Sequence, residues 1–305
     1  MNQLEAMRIY LRVADLCSFT QAADSLNLPK ATVSEAIKQL EVQLGSRLLQ
    51  RTTRSVQMTQ DGLLFYERSK DLLSDFSDLE NLFRSNDTPL QGRLRVDLPV
   101  AAARNIVIPA LPNFLAQHPG IELELSCTDR RVDLIREGFD CVMRVGVLHD
   151  SSLIARPLGY LKQVNLASAA YLKEWGIPKT IDDLHDHFLI HYLSNFGNKS
   201  NGFEYQVGDK THYLPMKGGM TVNNSDAYHA ACNAGFGIIQ VPQFGQMHAA
   251  SLQSLVPILP TYCAPAMPVS ILYPDRRHLA KRTQKFIDWL SETLRPYLHQ
   301  TDQRH

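Results

Sequence analysis

The stretch FTQAADSLNLPKATVSEAIKQLEVQLGSRLLQRTTRSVQMTQDG, residues 19–62, decides how the N-terminal part of the chain folds. Ser18 and Gln21 stand in the S-x-x-Q spacing of a capping box, where a hydroxyl accepts the N–H three residues on and the amide side chain returns to the cap N–H. Phe19, Ala22, Ala23 and Leu26 follow at helical spacing, and Asn27-Leu28-Pro29 breaks the helix. A further helix is expected from about Pro29 to Leu44, with Val33, Ile37, Leu40 and Leu44 on one stripe. Gly45 sits where a left-handed C-terminal residue is wanted. Beyond it, Thr52-Thr53-Arg54 separates two short segments of 47–58, consistent with a small hairpin that has basic residues at its tip.

Two helices joined by a tight break lie across each other, so the first turns of the second can enter a DNA major groove. Off its apolar stripe that helix offers Lys30, Thr32, Ser34, Glu35, Lys38 and Gln39, and the preceding helix begins with Ser18 and Thr20. Hydroxyls, amides and ammonium groups suit phosphates and base edges. Arg51, Thr53 and Arg54 of the hairpin would form a wing touching the backbone or the minor groove. The competing reading is an ordinary small helical domain with solvated polar faces.

Outward from this stretch the pattern changes twice. Upstream, Leu4, Met7, Ile9, Leu11, Val13 and Ala14 suggest one apolar-faced helix. Downstream, Thr59 caps a long helix expected over about 60–85. Its Phe65, Leu72, Phe76, Leu79 and Phe83 form a heptad seam interrupted at Ser69. A narrow seam cannot bury itself, so its expected partner is the same helix of another copy. Residues 86–92 (NDTPLQG) read as a linker. From residue 93 strands are expected at Leu94–Leu98, Ile121–Cys127, Cys141–Val145, Val164–Ala167, Leu189–Tyr192, Met220–Val222, Ile238–Val241 and Val269–Tyr273. Helices at 103–117, 131–138, 226–234 and 279–294 alternate with them. That alternation implies α/β architecture with open parallel sheets and ligand crevices at the strands' carboxyl ends. The segment is long for a single sheet, which makes two lobes the expectation.

Composition narrows the classes. The chain has 305 residues, 44% hydrophobic and 20% charged, as a folded protein does. Its 31 basic and 31 acidic residues balance. Read by segment, residues 1–59 carry seven bases against five acids, and residues 60–88 three bases against seven acids. The basic excess is confined to the first segment and is small, so charge alone argues only weakly for nucleic acid. No apolar run approaches the roughly 18 residues that span a bilayer, and the N-terminus does not read as a secretory signal. Five cysteines (Cys17, Cys127, Cys141, Cys232, Cys263) without a C-x-x-C pair argue against a disulfide framework or zinc finger and fit a reducing cytoplasm. His185-x-His187 and His187-x-x-x-His191 resemble metal spacing, but no acid or cysteine cluster supports them, and no metal is expected. No G-x-S-x-G, phosphate loop or cofactor fingerprint is present, so neither an enzyme nor a cofactor is expected.

Residues 19–62 resemble the winged helix–turn–helix of LysR-type transcriptional regulators. The family's SFT-x-AA-x-L, VS-x-x-I-x-x-LE-x-x-LG, LL-x-R-T-R and T-x-x-G appear as Ser18–Leu26, Val33–Gly45, Leu48–Arg54 and Thr59–Gly62. HPGIELELSCTDRRVDLIREGFDCVMRVG (118–146), SLIARPLG (152–159), NAGFGIIQVP (233–242) and YPDRRHLAKRTQKFIDWL (273–290) are similar to its effector-binding domain. The chain departs from the family at Glu35, where Arg is usual, and at Pro29, where a capping Ser is usual. A carboxylate at 35 could accept from a cytosine amino group but repels phosphate.

The resemblance implies α plus α/β architecture. A winged helix–turn–helix covers 1–59 (helix–turn–helix at about 19–38), a linker and dimerisation helix 60–88, and an effector-binding domain 92–305. That domain would be two-lobed and similar to type 2 periplasmic binding proteins, with lobe I at 92–161 and 267–301 and lobe II at 162–266. It implies promoter DNA as partner and a dimer of dimers through antiparallel pairing of helix 60–88, with half-sites about 34 Å apart. A small-molecule effector and RNA polymerase are further expected partners, and no membrane is. Carried over residue by residue, the cleft falls on Pro99, Val100, Ala101, Ala102, Thr128, Gly146, Val147, Asn224 and Ser225, with Arg104 as a helper. The family's usual hydroxyl is missing from Val100 to Ala103. His191, Tyr192, Phe203 and Tyr205 are candidates for the cleft or for an ordinary strand core, and the hinge is expected near Leu161-Lys162 and Ala266-Met267. Two other readings stay open: a switch by cysteine oxidation at Cys127 or Cys232 in place of a ligand, and a secreted solute-binding protein, against which the N-terminal head weighs.

Overall fold

The computed structural model describes residues 2–51, 56–81, 89–148, 153–197, 199–243, 255–274 and 279–300. It divides into two units, 1–93 and 94–305. The first begins with α1 (Gln3–Leu16), α2 (Phe19–Leu26) and α3 (Lys30–Leu44). Ser18 accepts the N–H of Gln21 at 3.3 Å, so the capping hydroxyl stands where the sequence puts it. α1 and α2 end on left-handed residues, Cys17 (φ 47°) and Asn27 (φ 52°), and α3 on Gly45 (φ 66°). Asparagine tolerates that conformation well, so α2 stops at Asn27 before the proline is reached. Pro29 precedes α3 with extended backbone and makes no side-chain cap.

Strands β1 (Leu49–Arg51) and β2 (Val56–Met58) pair antiparallel, Leu49 opposite Met58 and Arg51 opposite Val56. The hairpin tip, including Thr53 and Arg54, lies outside the described residues. α4 (Gln60–Asn81) follows, and residues 82–85 of the expected helix also lie outside them. One core closes this unit: Ile9, Tyr10, Val13, Ala22, Val33, Ala36 and Ile37 are buried together, with Phe65 and Tyr66 of α4 packed on them. Phe65 therefore does not belong to the exposed seam; its ring meets Tyr10 edge-on at 5.4 Å. Leu72 and Leu79 stay exposed, as does Leu64. The heptad count missed this because α4 lies against α1 with its first turns and only later carries a free face.

The second unit holds β3 (Gln91–Leu98, which starts in the first), α5 (Val100–Ala102), a π-helical turn Ala103–Val107, α6 (Ile108–Gln117), β4 (Gly120–Cys127), α7 (Leu134–Glu137), β5 (Cys141–Val145) and β6 (Leu153–Leu161). Then come β7 (Gln163–Ser168), α8 (Ala169–Trp175), β8 (His191–Tyr192), β9 (Phe203–Val207), β10 (Lys210–Leu214), β11 (Thr221–Val222), α9 (Ser225–Asn233), β12 (Ile239–Pro242), β13 (Leu255–Ile258), β14 (Met267–Pro274) and α10 (Lys281–Leu294). One sheet runs β4-β3-β5-β14-β6, and a second runs β12-β7-β13. These sheets are the centres of two lobes. Phe114 of α6 packs on Phe286 of α10 at 5.5 Å beside the first sheet.

The sheets are not the open parallel ones that the alternation implied. β3 and β5 are parallel, but β14 is antiparallel to both β5 and β6, and β7 is antiparallel to both its neighbours. The cause is connectivity: the chain leaves the first lobe after β6 and returns only as β14, so the closing strand arrives from the far end. The two passages are adjacent. Leu161 pairs with Met267, and the Gln163 side-chain amide donates to the Pro265 carbonyl at 2.9 Å.

Candidate functional site

α3 separates its residues cleanly. Val33, Ala36, Ile37 and Leu40 are buried, while Lys30, Thr32, Glu35, Lys38 and Gln39 are exposed and Ser34 is half-buried. Thr20 is exposed on α2, whereas Ser18 is occupied as the cap. Glu35 does not stand free, because the Gln39 amide donates to its Oε1 at 3.1 Å. One turn apart on a helix, the two side chains reach each other naturally. Glu41, which sequence reasoning passed over, braces the hairpin: its Oε1 accepts the N–H groups of Leu48 and Leu49 at 2.8 and 3.0 Å. Arg51 ends β1.

The T-x-x-G pair acquires a physical reason. Thr59 Oγ1 accepts the Gly62 N–H at 2.9 Å and donates to the Arg47 carbonyl at 2.7 Å, capping α4 and tying it to the start of the hairpin. Gly62 leaves room for a crossing chain: a Cβ there would lie 2.0 Å from the Leu48 carbonyl oxygen. The Tyr10 hydroxyl donates to the Gly62 carbonyl at 2.8 Å. Burial, with the Glu41 carboxylate nearby, pushes the Tyr10 phenol up to about 12.

In the second unit three of the expected cleft residues, Val100, Thr128 and Ser225, meet two carboxylates that the sequence reading did not single out. Asp97, at the carboxyl end of β3, is fully buried. The Thr128 hydroxyl donates to its Oδ1 at 3.0 Å, and Arg144 of β5 pairs with its Oδ2 at 2.7 Å. Asp129 accepts the Val100 N–H at 3.0 Å on one oxygen and the Ser225 N–H at 2.6 Å on the other. Burial, followed by the nearby Asp129 carboxylate, drives the Tyr192 phenol well up. Asn224 caps α9 by accepting the Ala227 N–H at 2.9 Å. Ser225 Oγ is buried without a hydrogen-bond partner among the described residues. Gly146 has φ 107° and donates its N–H to the Pro268 carbonyl at 2.8 Å. Val147 is exposed, Pro99 precedes α5, and Ala101 and Ala102 lie within it. Arg104 pairs with Asp226 of α9 at 2.7 Å.

The aromatic group of the second lobe divides. Tyr192 stacks obliquely on Tyr228 at 5.2 Å beside Asp129, whereas Phe203 is fully buried and Tyr205 packs with it in that lobe's core. His191 Nδ1 is buried with no partner among the described residues, and His187 Nδ1 meets the Tyr171 hydroxyl at 3.1 Å. His187, His191 and His229 are each held below the ordinary imidazole range, chiefly by burial. Unfolding returns them to about 6.5, so the unfolded chain binds more protons between the lowered and the ordinary values. Stability is therefore expected to fall as pH drops through that window, with no contribution from these groups above it. Thermal unfolding across the window checks this: His229→Gln flattens the slope, and an unchanged slope would assign the loss to other groups.

Among the thiols, Cys232 is buried and raised to about 12, and Cys127, on the exposed end of β4, is raised by partial burial and by the Asp97 and Asp129 carboxylates. Both shifts disfavour the thiolate, the form that oxidants attack. Among the described residues, no helix is long and apolar enough to cross a membrane.

Comparison with known proteins matches both parts of the chain. Residues 4–63 fit the model of the bacterial regulatory helix-turn-helix proteins of the lysR family, and residues 87–295 fit the LysR substrate binding domain. The uncharacterized HTH-type transcriptional regulator YhjC of Escherichia coli (strain K12) is 44% identical, over 98% of this chain and 100% of its own length. An HTH-type transcriptional repressor of Pseudomonas aeruginosa (strain UCBPP-PA14) is 38% identical, over 96% of this chain and 92% of its own. Among solved structures, CrgA of Neisseria meningitidis, a LysR-type transcriptional regulator, is similar at TM-score 0.59 and 25% identity, covering 95% of this chain and 98% of that one.

Proposed function

The chain belongs to the LysR family of bacterial transcriptional regulators, and from that premise we propose that α3 reads promoter DNA in paired copies under control of a small molecule held between the two lobes. The observation that carries the DNA half is the exposed polar face of α3. Lys30, Thr32, Glu35, Lys38 and Gln39 stand outside a helix whose opposite side is closed into a core. Thr32, Glu35 and Gln39 are of the types that read base edges, and Lys30 and Lys38 of the type that holds phosphate. A small basic excess suffices when several heads bind together, because their counterion-release contributions add. The free Leu72 and Leu79 of α4 supply an apolar face for pairing with a second copy.

Footprinting of the purified protein on the DNA upstream of its own gene tests this reading. A protected, dyad-related site with half-sites about one helical turn apart is expected; no protection at low salt would sink it. The lysines have a signature of their own. Lys38→Ala should weaken binding to all sequences alike and make the slope of log K against log salt shallower by about 0.9 for each phosphate no longer neutralised. Retention of the full slope would remove Lys38 from the interface.

Control by a ligand rests on the second unit. Thr128, Ser225 and Val100, drawn from separate segments, bind Asp97 or Asp129 where the two lobes face each other. A ligand bound there with different affinity for the closed and opened lobes would shift that equilibrium, and through the paired α4 helices the spacing of the heads. The upward-shifted thiols of Cys127 and Cys232 favour this reading over switching by oxidation.

A further inference from the structure

We propose that Asp129 is a resident anion of the interlobe cleft: it clamps the lobes together without a ligand and restricts the cleft to molecules that bring hydrogen-bond donors or positive charge rather than a carboxylate. The proposal rests on the ligand-cleft reading above. Asp129 follows β4 in the first lobe, yet its two oxygens serve both lobes. Oδ1 accepts from Val100 of its own lobe at 3.0 Å, and Oδ2 accepts from Ser225 of the second lobe at 2.6 Å. The phenol of Tyr192, also of the second lobe, lies near enough to feel the charge of Asp129. A carboxylate that receives one backbone donor from each of two bodies does what a bound ligand's carboxylate would do, with no loss of translational freedom on association.

The neighbourhood is already supplied with anions. Asp97 lies fully buried behind Thr128, and its charge is balanced by Arg144 at 2.7 Å. Arg104 is paired across the lobes with Asp226, also at 2.7 Å. An incoming carboxylate would meet Asp129 on the very N–H groups it needs, and the two guanidinium groups beside it are already matched. The segment Val100 to Ala103 has no hydroxyl to offer instead. A ligand that donates hydrogen bonds finds the reverse situation: the Asp129 carboxylate can accept, and the buried Ser225 hydroxyl beside it has no partner among the described residues.

The test uses the purified full-length protein and sodium acetate as probe, compared with sodium chloride at equal ionic strength. Amide exchange is followed in the segments containing Val100 and Ser225. In the unaltered protein both amides are expected to be protected, and acetate to change nothing. In Asp129→Ala both should exchange about tenfold faster or more, and acetate should slow them again by filling the vacated position. Asp129→Asn keeps an acceptor and leaves no space, so it should exchange at an intermediate rate that acetate does not alter; this arm stands even if the alanine variant fails to fold. Wild-type-like exchange in the folded Asp129→Ala protein, or in Asp129→Asn should the alanine variant not fold, would overturn the proposal. So would acetate protecting the unaltered protein or the asparagine variant. No DNA enters the measurement, so a negative result here leaves an operator footprint untouched, and a missing footprint leaves this result standing.

Discussion

Gly62→Ala is expected to abolish operator binding and to unfold the N-terminal head well before the rest of the chain. Two effects of opposite sign meet at this position. Alanine is the better helix former by about 1 kcal/mol, and Gly62 lies in the first turn of α4. Against that, the added methyl would sit 2.0 Å from the Leu48 carbonyl oxygen and 3.0 Å from the Tyr10 hydroxyl. The first neighbour is backbone, fixed by the hairpin and by Glu41, so it cannot swing aside as a flexible side chain could. Overpacking of this kind costs about 1–3 kcal/mol. The shift would also break the buried bond from Tyr10 to the Gly62 carbonyl, at a further cost of about 1–3 kcal/mol. The clash prevails. Amide exchange in α1, followed beside an operator-binding assay, checks it; native protection in α1 together with full affinity would show that the crossing can relax.

The second large effect is expected at Asp97. Asp97→Ala leaves the Arg144 guanidinium, whose side chain is only 15% exposed, without its counter-charge and the Thr128 hydroxyl without its acceptor. Breaking a buried pair from one side typically costs about 3–5 kcal/mol, because the remaining charge stays desolvated. For a unit of this size that corresponds to a fall of about 10 °C in melting temperature. Replacing both partners by apolar side chains should cost much less than the single change, since no orphaned charge remains. Thermal unfolding of Asp97→Ala, Arg144→Met and the double variant forms the cycle. Additive losses would mean that the two groups do not depend on each other.

The sequence was most informative where structure is local. The Ser18 cap, the break after Leu26, the apolar stripe of α3 as far as Leu40 and the stop at Gly45 all depend on residues within a turn or two of one another and can be read from spacing, whereas Leu44, expected on that stripe, is exposed. The burial of Phe65 in the head was not legible, because the seam count sees the period of α4 but not which of its turns α1 covers. The sheets escaped for a related reason: antiparallel return of β14 is a property of chain routing, and a strand's residues do not announce their direction. The cleft shows the same limit in its chemistry. Thr128, Asn224 and Ser225 were named by likeness to a family, but Asp97, Asp129 and Arg144 carry the hydrogen bonds there. They come from three separate segments, and each alone looks like a solvated charge. Only the order of β4, β3 and β5 brings Asp97 between Thr128 and Arg144.

The paired passages between the lobes have a mechanical consequence. Two bodies joined by one thread can tumble in three directions; joined by two threads lying side by side, they keep a single easy rotation. Lys162 and the segment ending at Met267 are such threads, stitched together by the Gln163 side chain on the Pro265 carbonyl and by the pairing of Leu161 with Met267. A ligand entering the proposed cleft would therefore report itself only as more or less of one angle. Under the proposed control by a ligand, the protein's input would be a dial rather than a keypad, and chemically different molecules that set the same angle would be indistinguishable to the genes downstream.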